Sequence, residues 1–92
     1  MSIIIDEEEF VQHPIYSNYC ASKNGKIYNS KTKKILTSKS PSIILRGYDK
    51  SSYTKARLIY EAFYGIVERG TMIHKNNDSK DNRLENLDVK YW

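Results

Sequence analysis

The sequence predicts an α+β domain, in which a small antiparallel sheet is followed by a helix and then by a polar loop set between apolar pieces. Three observations lead there. The first half consists of short apolar and aromatic stretches separated by turn residues; the stretch Lys55 to Tyr64 switches to a helical period; and His74 to Arg83 is almost wholly polar. With 92 residues there is room for one compact unit with a thin core.

Taken in order, Asp6 to Glu9 forms an acidic lead-in, helical or extended, to Phe10 and Val11. His13-Pro14 then restricts the backbone toward an extended or turn path. Ile15 to Ala21 and Lys26 to Asn29 read as two strands around Ser22-Lys23-Asn24-Gly25, where Asn24-Gly25 is a strong hairpin signal because both residues tolerate positive φ. Lys34 to Thr37 reads as a further strand. Ile43 to Leu45 and Ser52 to Thr54 flank Arg46-Gly47-Tyr48-Asp49-Lys50 as a second hairpin. In Lys55 to Tyr64, Ala56, Ile59, Tyr60 and Phe63 recur three and four apart, so one helical face is apolar. Thr54 is placed to cap this helix, and Gly65, able to adopt αL, to stop it. Core packing is the expected role of Tyr60, Phe63 and Tyr64. Ile66 to Ile73 is a strand-bearing connection, and Leu84, Leu87 and Val89 follow the polar loop. A loop so rich in Asn and Asp satisfies its backbone through side chains, and such loops often carry binding or catalytic groups.

Composition excludes some classes of function. Apolar runs such as Ile3-Ile4-Ile5 are too short to span a bilayer, and acids stand where a secretory leader would be basic, so an intracellular protein with no membrane partner is expected. The single cysteine, Cys20, has no partner for an internal disulfide or a zinc site and is expected in the core. The net charge of +4 is unevenly spread: residues 23–92 hold all 15 basic residues against seven of the 11 acidic ones, a net of +8. That body attracts polyanions such as nucleic acid, although charge alone equally suits a solvated surface. Frequent Ile, Lys, Asn and Tyr, whose codons are A/T-rich, fit a phage, a large DNA virus or another AT-rich genome.

Three segments together resemble the HNH homing endonucleases of phage and viral type. The run from Ile73-His74-Lys75-Asn76-Asn77-Asp78 through Asp81-Asn82-Arg83-Leu84-Glu85-Asn86-Leu87 is similar to the HNH motif. Ala56-Arg57-Leu58-Ile59-Tyr60-Glu61-Ala62-Phe63 is similar to the helix preceding it, which usually begins His-Arg-Leu. Tyr16 to Tyr28 resembles the N-terminal module of these proteins. The likeness covers roughly residues 10–89 and implies a single domain over residues 1–92, with a β-rich module at 1–54 and the helix plus HNH-like motif at 55–92. The fold implied is a small antiparallel sheet and helix followed by an incomplete ββα-metal finger.

By resemblance His74 holds the general-base position, Asn86 matches the central Asn that braces the loop, and Asn82 helps to pin the same turn. Two metal ligands are missing from the pattern. The residue before the His is Ile73, which has no donor atom, and the chain ends at Trp92, before the helix that brings the family's last ligand. Asp78, Asp81 and Asp88 are the carboxylates available as substitutes. Asn76-Asn77-Asp78 replaces an Asp-Gly-Asn turn, and Asn77 is expected to stand in for the Gly because Asn tolerates αL.

The leading expectation is a catalytically degenerate HNH-like protein that binds nucleic acid, most naturally duplex DNA, and needs no cofactor. Its phosphate contacts would be Lys23, Lys26, Lys31, Lys33, Lys34, Arg46, Lys50 and Lys55, with Lys75, Lys80 and Arg83 around the loop. The enzyme alternative is a Mg2+-dependent HNH endonuclease in which His74 activates water. A third alternative is an HNH fold recruited as a structural or protein-interaction module, in a viral assembly for example, with a homodimer or another protein as partner.

Overall fold

A computed structural model describes residues 2–36, 40, 42–45 and 53–91. Strands β1 (Ser2–Ile5), β2 (Glu8–Gln12), β3 (Tyr19–Ala21), β4 (Ile27–Asn29) and β5 (Lys34–Ile35) form an antiparallel sheet in sequence order. β6 (Ser42–Ile43) pairs with β7 (Tyr53–Thr54), helix α1 spans Lys55–Tyr64, and β8 (Gly70–His74) pairs with β9 (Leu87–Tyr91) after a 3-10 turn at Leu84–Asn86. The fold is thus the expected α+β arrangement of small antiparallel sheets and one helix.

The central strands β3 and β4 are buried on both faces, and alternation of side chains divides the core in two. Tyr19, Ala21 and Ile27 face α1 and pack in one cluster with Leu58, Ile59 and Leu87. On the other face Phe10, Cys20 and Tyr28 pack with Ile3, Ile5 and Ile35, the Phe10 and Tyr28 rings lying 5.9 Å apart. Leu58 and Ile59 are fully buried, each stabilising by about 1.5–3 kcal/mol relative to exposure. Burial also pushes the Cys20 thiol's pKa up.

The structure corrects several details. Half of the acidic lead-in is the turn of a hairpin: β1 pairs with β2, Asp6 and Glu7 take φ 50° and 65°, and Glu8 and Glu9 are extended in β2. The strand expected from Ile15 begins only at Tyr19. His13 causes this, since its ring Nδ1 accepts the N–H groups of Ile15 and Tyr16, both at 3.1 Å, and bends the chain. Thr54 sits at the N-cap of α1 but its side chain makes no capping hydrogen bond. Gly65 ends the helix at φ 95°, ψ 175°, an extended positive-φ conformation instead of αL, while its N–H reaches the Glu61 carbonyl at 2.9 Å. The buried face of α1 is wider than the apolar stripe and includes Lys55 and Glu61. Tyr60 and Phe63 pack against the core as expected, whereas Tyr64 is largely exposed. The expected hairpin loop 46–50, with Thr37, Ser52 and Trp92, lies outside the described residues.

Candidate functional site: the His74 loop and its basic surround

β8 and β9 run antiparallel with His74 opposite Leu87, and the loop between them leaves β8 at His74. Asn86 holds that loop closed. Its Oδ1 accepts the Asn76 N–H at 3.1 Å, and its Nδ2 donates to Asn76 Oδ1 and to the Asp81 carbonyl, both at 2.9 Å. The Lys75 N–H adds a backbone bond to the Asn86 carbonyl at 2.8 Å. Asn86 is buried, so its side chain makes these bonds largely sheltered from water. Asn77 turns the chain at φ 62°, the left-handed conformation that Asn tolerates.

Asn82 contacts His74 directly, which is more than pinning the turn. Its Oδ1 lies 2.8 Å from His74 Nε2, and because that oxygen can only accept, Nε2 carries the hydrogen. The Nδ1 lone pair is then left as the basic site of the ring. His74 is half-buried, and its ring orientation is fixed by this contact.

The loop carboxylates are engaged elsewhere. Asp81 receives the Arg83 guanidinium at 2.7 and 2.8 Å and Asn76 Nδ2 at 2.9 Å. The hydrogen bonds from Arg83 hold the Asp81 carboxyl well below the usual carboxylate range, and Asp81 in turn raises the pKa of Arg83. Asp78 Oδ1 accepts the Lys80 N–H at 3.0 Å. Asp88 stands opposite Ile73, so strand alternation places both on the face of β8–β9 away from His74. An HNH-type metal site needs oxygen or nitrogen donors converging beside the His. Ile73 supplies none, and among the described residues no group of three His, Cys, Asp or Glu is placed to hold an ion. The residues present do not fit that group.

The basic residues fall into two loci. Lys23 lies in the β3–β4 turn, where its carbonyl accepts the Leu84 N–H at 2.9 Å, so it adjoins the His74 loop with its exposed Lys75, Lys80 and Arg83. Lys26 is near them but pairs with Glu8 at 3.0 Å. Lys31 and Lys33 are exposed at the other end of β4, in the turn leading to β5, and exposed Lys34 opens that strand. Lys55 differs from the rest: it is buried, and desolvation lowers its pKa. It lines a cleft of about 640 Å³ with Lys34, Tyr19, Ile43 and Ile44. Arg46 and Lys50 lie outside the described residues.

A buried polar network escaped the sequence reading. Glu61, within α1, is fully buried, and its Oε1 accepts His13 Nε2–H at 2.9 Å and the Tyr53 hydroxyl at 2.5 Å. Its Oε2 accepts the Val67 N–H at 2.9 Å and Arg57 Nε–H at 3.3 Å, and Arg57 also donates to the Val67 carbonyl. Burial pushes the Glu61 pKa up, but the donors, His13 first, outweigh it and leave the carboxyl below its ordinary value. Desolvation and the Glu61 carboxylate together push the Tyr53 phenol well above its ordinary range. The signal in the sequence was a glutamate amid the apolar side of a helix, which a buried partner must explain.

Comparison with known proteins gives two findings. Residues 53–90 match the family model described as HNH endonuclease. The fold is similar to a solved structure reported as "DNA binding and cleavage by the HNH homing endonuclease I-HmuI", with a TM-score of 0.69 and 21% sequence identity. The likeness covers 89% of this chain and 52% of that one, so the chain spans about half the length of the protein it matches. Among curated proteins no match was found.

Proposed function

Starting from a chain that is HNH homing-endonuclease-like in motif and fold, we propose that it is a duplex-DNA-binding protein whose metal-dependent cleavage has been lost. The observation that carries this reading is the condition of the His74 loop. Its base is oriented by Asn82 and its rim carries exposed Lys23, Lys75 and Lys80, yet Asp78 and Asp81 are bonded within the loop and Asp88 lies on the other face. Lysines at the rim neutralise phosphates and release counterions, so they hold a backbone without reading its sequence. A nuclease of this type needs an ion to polarise water and to offset charge on the phosphate. The Nδ1 lone pair of His74 can accept a proton, but among the described residues no set of donors that could hold an ion is gathered.

The test is the affinity of the purified chain for a fluorescent duplex across a salt series. The reading expects a linear fall of log affinity with log salt, at a slope of about −0.9 per phosphate contact, and a smaller slope in a Lys23→Ala/Lys75→Ala/Lys80→Ala variant. A flat response, or binding indifferent to the three lysines, would sink it. If the chain instead binds no nucleic acid but retains a protein partner, the recruited structural role takes its place.

A further inference from the structure

The N-terminal sheet meets the His74 loop at the turn between β3 and β4. Gly25, at φ 87°, is packed so tightly that a Cβ there would lie 2.8 Å from the Asn82 carbonyl carbon and 3.0 Å from both the Asn82 oxygen and the Arg83 nitrogen. All three are backbone atoms, so the loop itself would have to move. Two residues earlier in the turn, the Lys23 carbonyl accepts the Leu84 N–H at 2.9 Å. Asn82 is the residue whose side chain meets His74 Nε2.

The turn is itself braced from within its own sheet. The Ser22 N–H and hydroxyl oxygen both bond to the Lys26 backbone, and Gly25 N–H returns to the Ser22 carbonyl at 3.1 Å. From β2, Glu8 accepts Asn24 Nδ2 at 3.0 Å and pairs with Lys26 Nζ at 3.0 Å. A braced turn therefore abuts the backbone of Asn82, whose side chain meets the loop histidine.

We propose that the Ser22–Lys26 turn, through Gly25 and the Lys23 carbonyl, is a positioning element that sets the ring orientation and tautomer of His74 by fixing Asn82. The β-rich module then does more than lend surface to a nucleic-acid contact. It holds the histidine of the HNH-like loop in one fixed geometry. This inference rests on the reading of the His74 loop as the HNH-like site that faces nucleic acid.

The chain has two histidines, which makes the test clean. With 15N-labelled histidine, the imidazole nitrogens of His74 and His13 are read by long-range proton–nitrogen correlation in the wild type, Gly25→Ala and Asn82→Ala. Wild-type His74 should be dominated by the Nε2–H form. Both variants should lower the ratio of that form to the other by about five-fold, the weight of one ordinary hydrogen bond. His13, held by the Ile15 and Tyr16 amides and by Glu61, should not change, which separates positioning from a general loss of structure. A Gly25→Ala spectrum with His74 unmoved would overturn the proposal. If that variant does not fold, hydrogen exchange in the wild type decides: a protected Leu84 amide supports the turn-to-loop clamp, and one exchanging as fast as an exposed loop amide refutes it. Because the readout is the ring and not cleavage or binding, an unmoved His74 in a chain that binds DNA sinks this inference alone. A shifted His74 in a chain that binds none sinks the functional reading alone.

Discussion

Replacing Glu61 with alanine should be among the most damaging single changes in the protein. The side chain is fully buried and accepts four hydrogen bonds, from His13, Tyr53, Arg57 and the Val67 backbone. Truncation leaves those donors facing a small cavity. His13 is itself buried, and Arg57 is left partly buried without the carboxylate that balances its charge. Removing one partner of a buried ion pair typically costs about 3–5 kcal/mol. A chain of this size has a total stability of roughly 0.05–0.15 kcal/mol per residue, so the loss removes a large part of it. For a domain this small each kcal/mol lowers Tm by about 4–8 °C, which predicts a fall of at least about 12 °C. Urea unfolding followed by circular dichroism measures the change as a shift in midpoint at constant slope. Glu61→Gln keeps an acceptor for His13 and Tyr53 and should fall between the two. A Glu61→Ala loss under about 1 kcal/mol would refute the claim that this network ties the end of β2 and β7 to the helix.

Other outcomes follow from the same contacts. Because the folded-state pKa of Glu61 lies below its unfolded value near 4.5, its contribution is present above that pH and is lost as pH falls through the folded value. Acid titration of stability should therefore show a drop that Glu61→Gln lacks. Tyr53 has the opposite sign: its raised pKa contributes fully below about 10 and is lost at higher pH, so alkaline unfolding should be delayed in Tyr53→Phe relative to its own neutral stability. Gly70→Ala would place a Cβ 2.7 Å from Val89 Cγ1 and 3.1 Å from Val67 Cγ1, and should cost about 1–3 kcal/mol by overpacking between β8 and β9, read by thermal melting. Asn86→Ala removes three side-chain hydrogen bonds and should speed amide exchange at Asn76 while leaving β3–β4 protected.

Much of the fold was legible because local signals agreed with burial. The helical period at 55–64 and the Asn24-Gly25 turn each lead to the element observed, since each depends on residues close in sequence. What stayed hidden depends on distant partners. β1 was missed because Ile3-Ile4-Ile5 has no alternation of its own, and only pairing with β2 gives Ile3 and Ile5 an inner face. His13 and Glu61 stand 48 residues apart, so neither reveals the other. At the candidate site, the motif draws attention to His74, Asn82 and Asn86, but not to the bond from Asn82 to the ring, nor to Gly25 behind it. Exposure of a lysine is likewise unreadable: Lys55 and Lys34 look alike in the sequence, yet one is buried and the other is not.

The central claim is that the His74 loop holds DNA without cutting it. It is tested most directly by incubating supercoiled plasmid with the wild-type chain or with His74→Ala, in magnesium or manganese, and resolving shift and nicking on one gel. A salt-sensitive shift by both proteins and no nicking by either is the expected result. Metal-dependent nicking that disappears in His74→Ala would contradict it and establish a working nuclease.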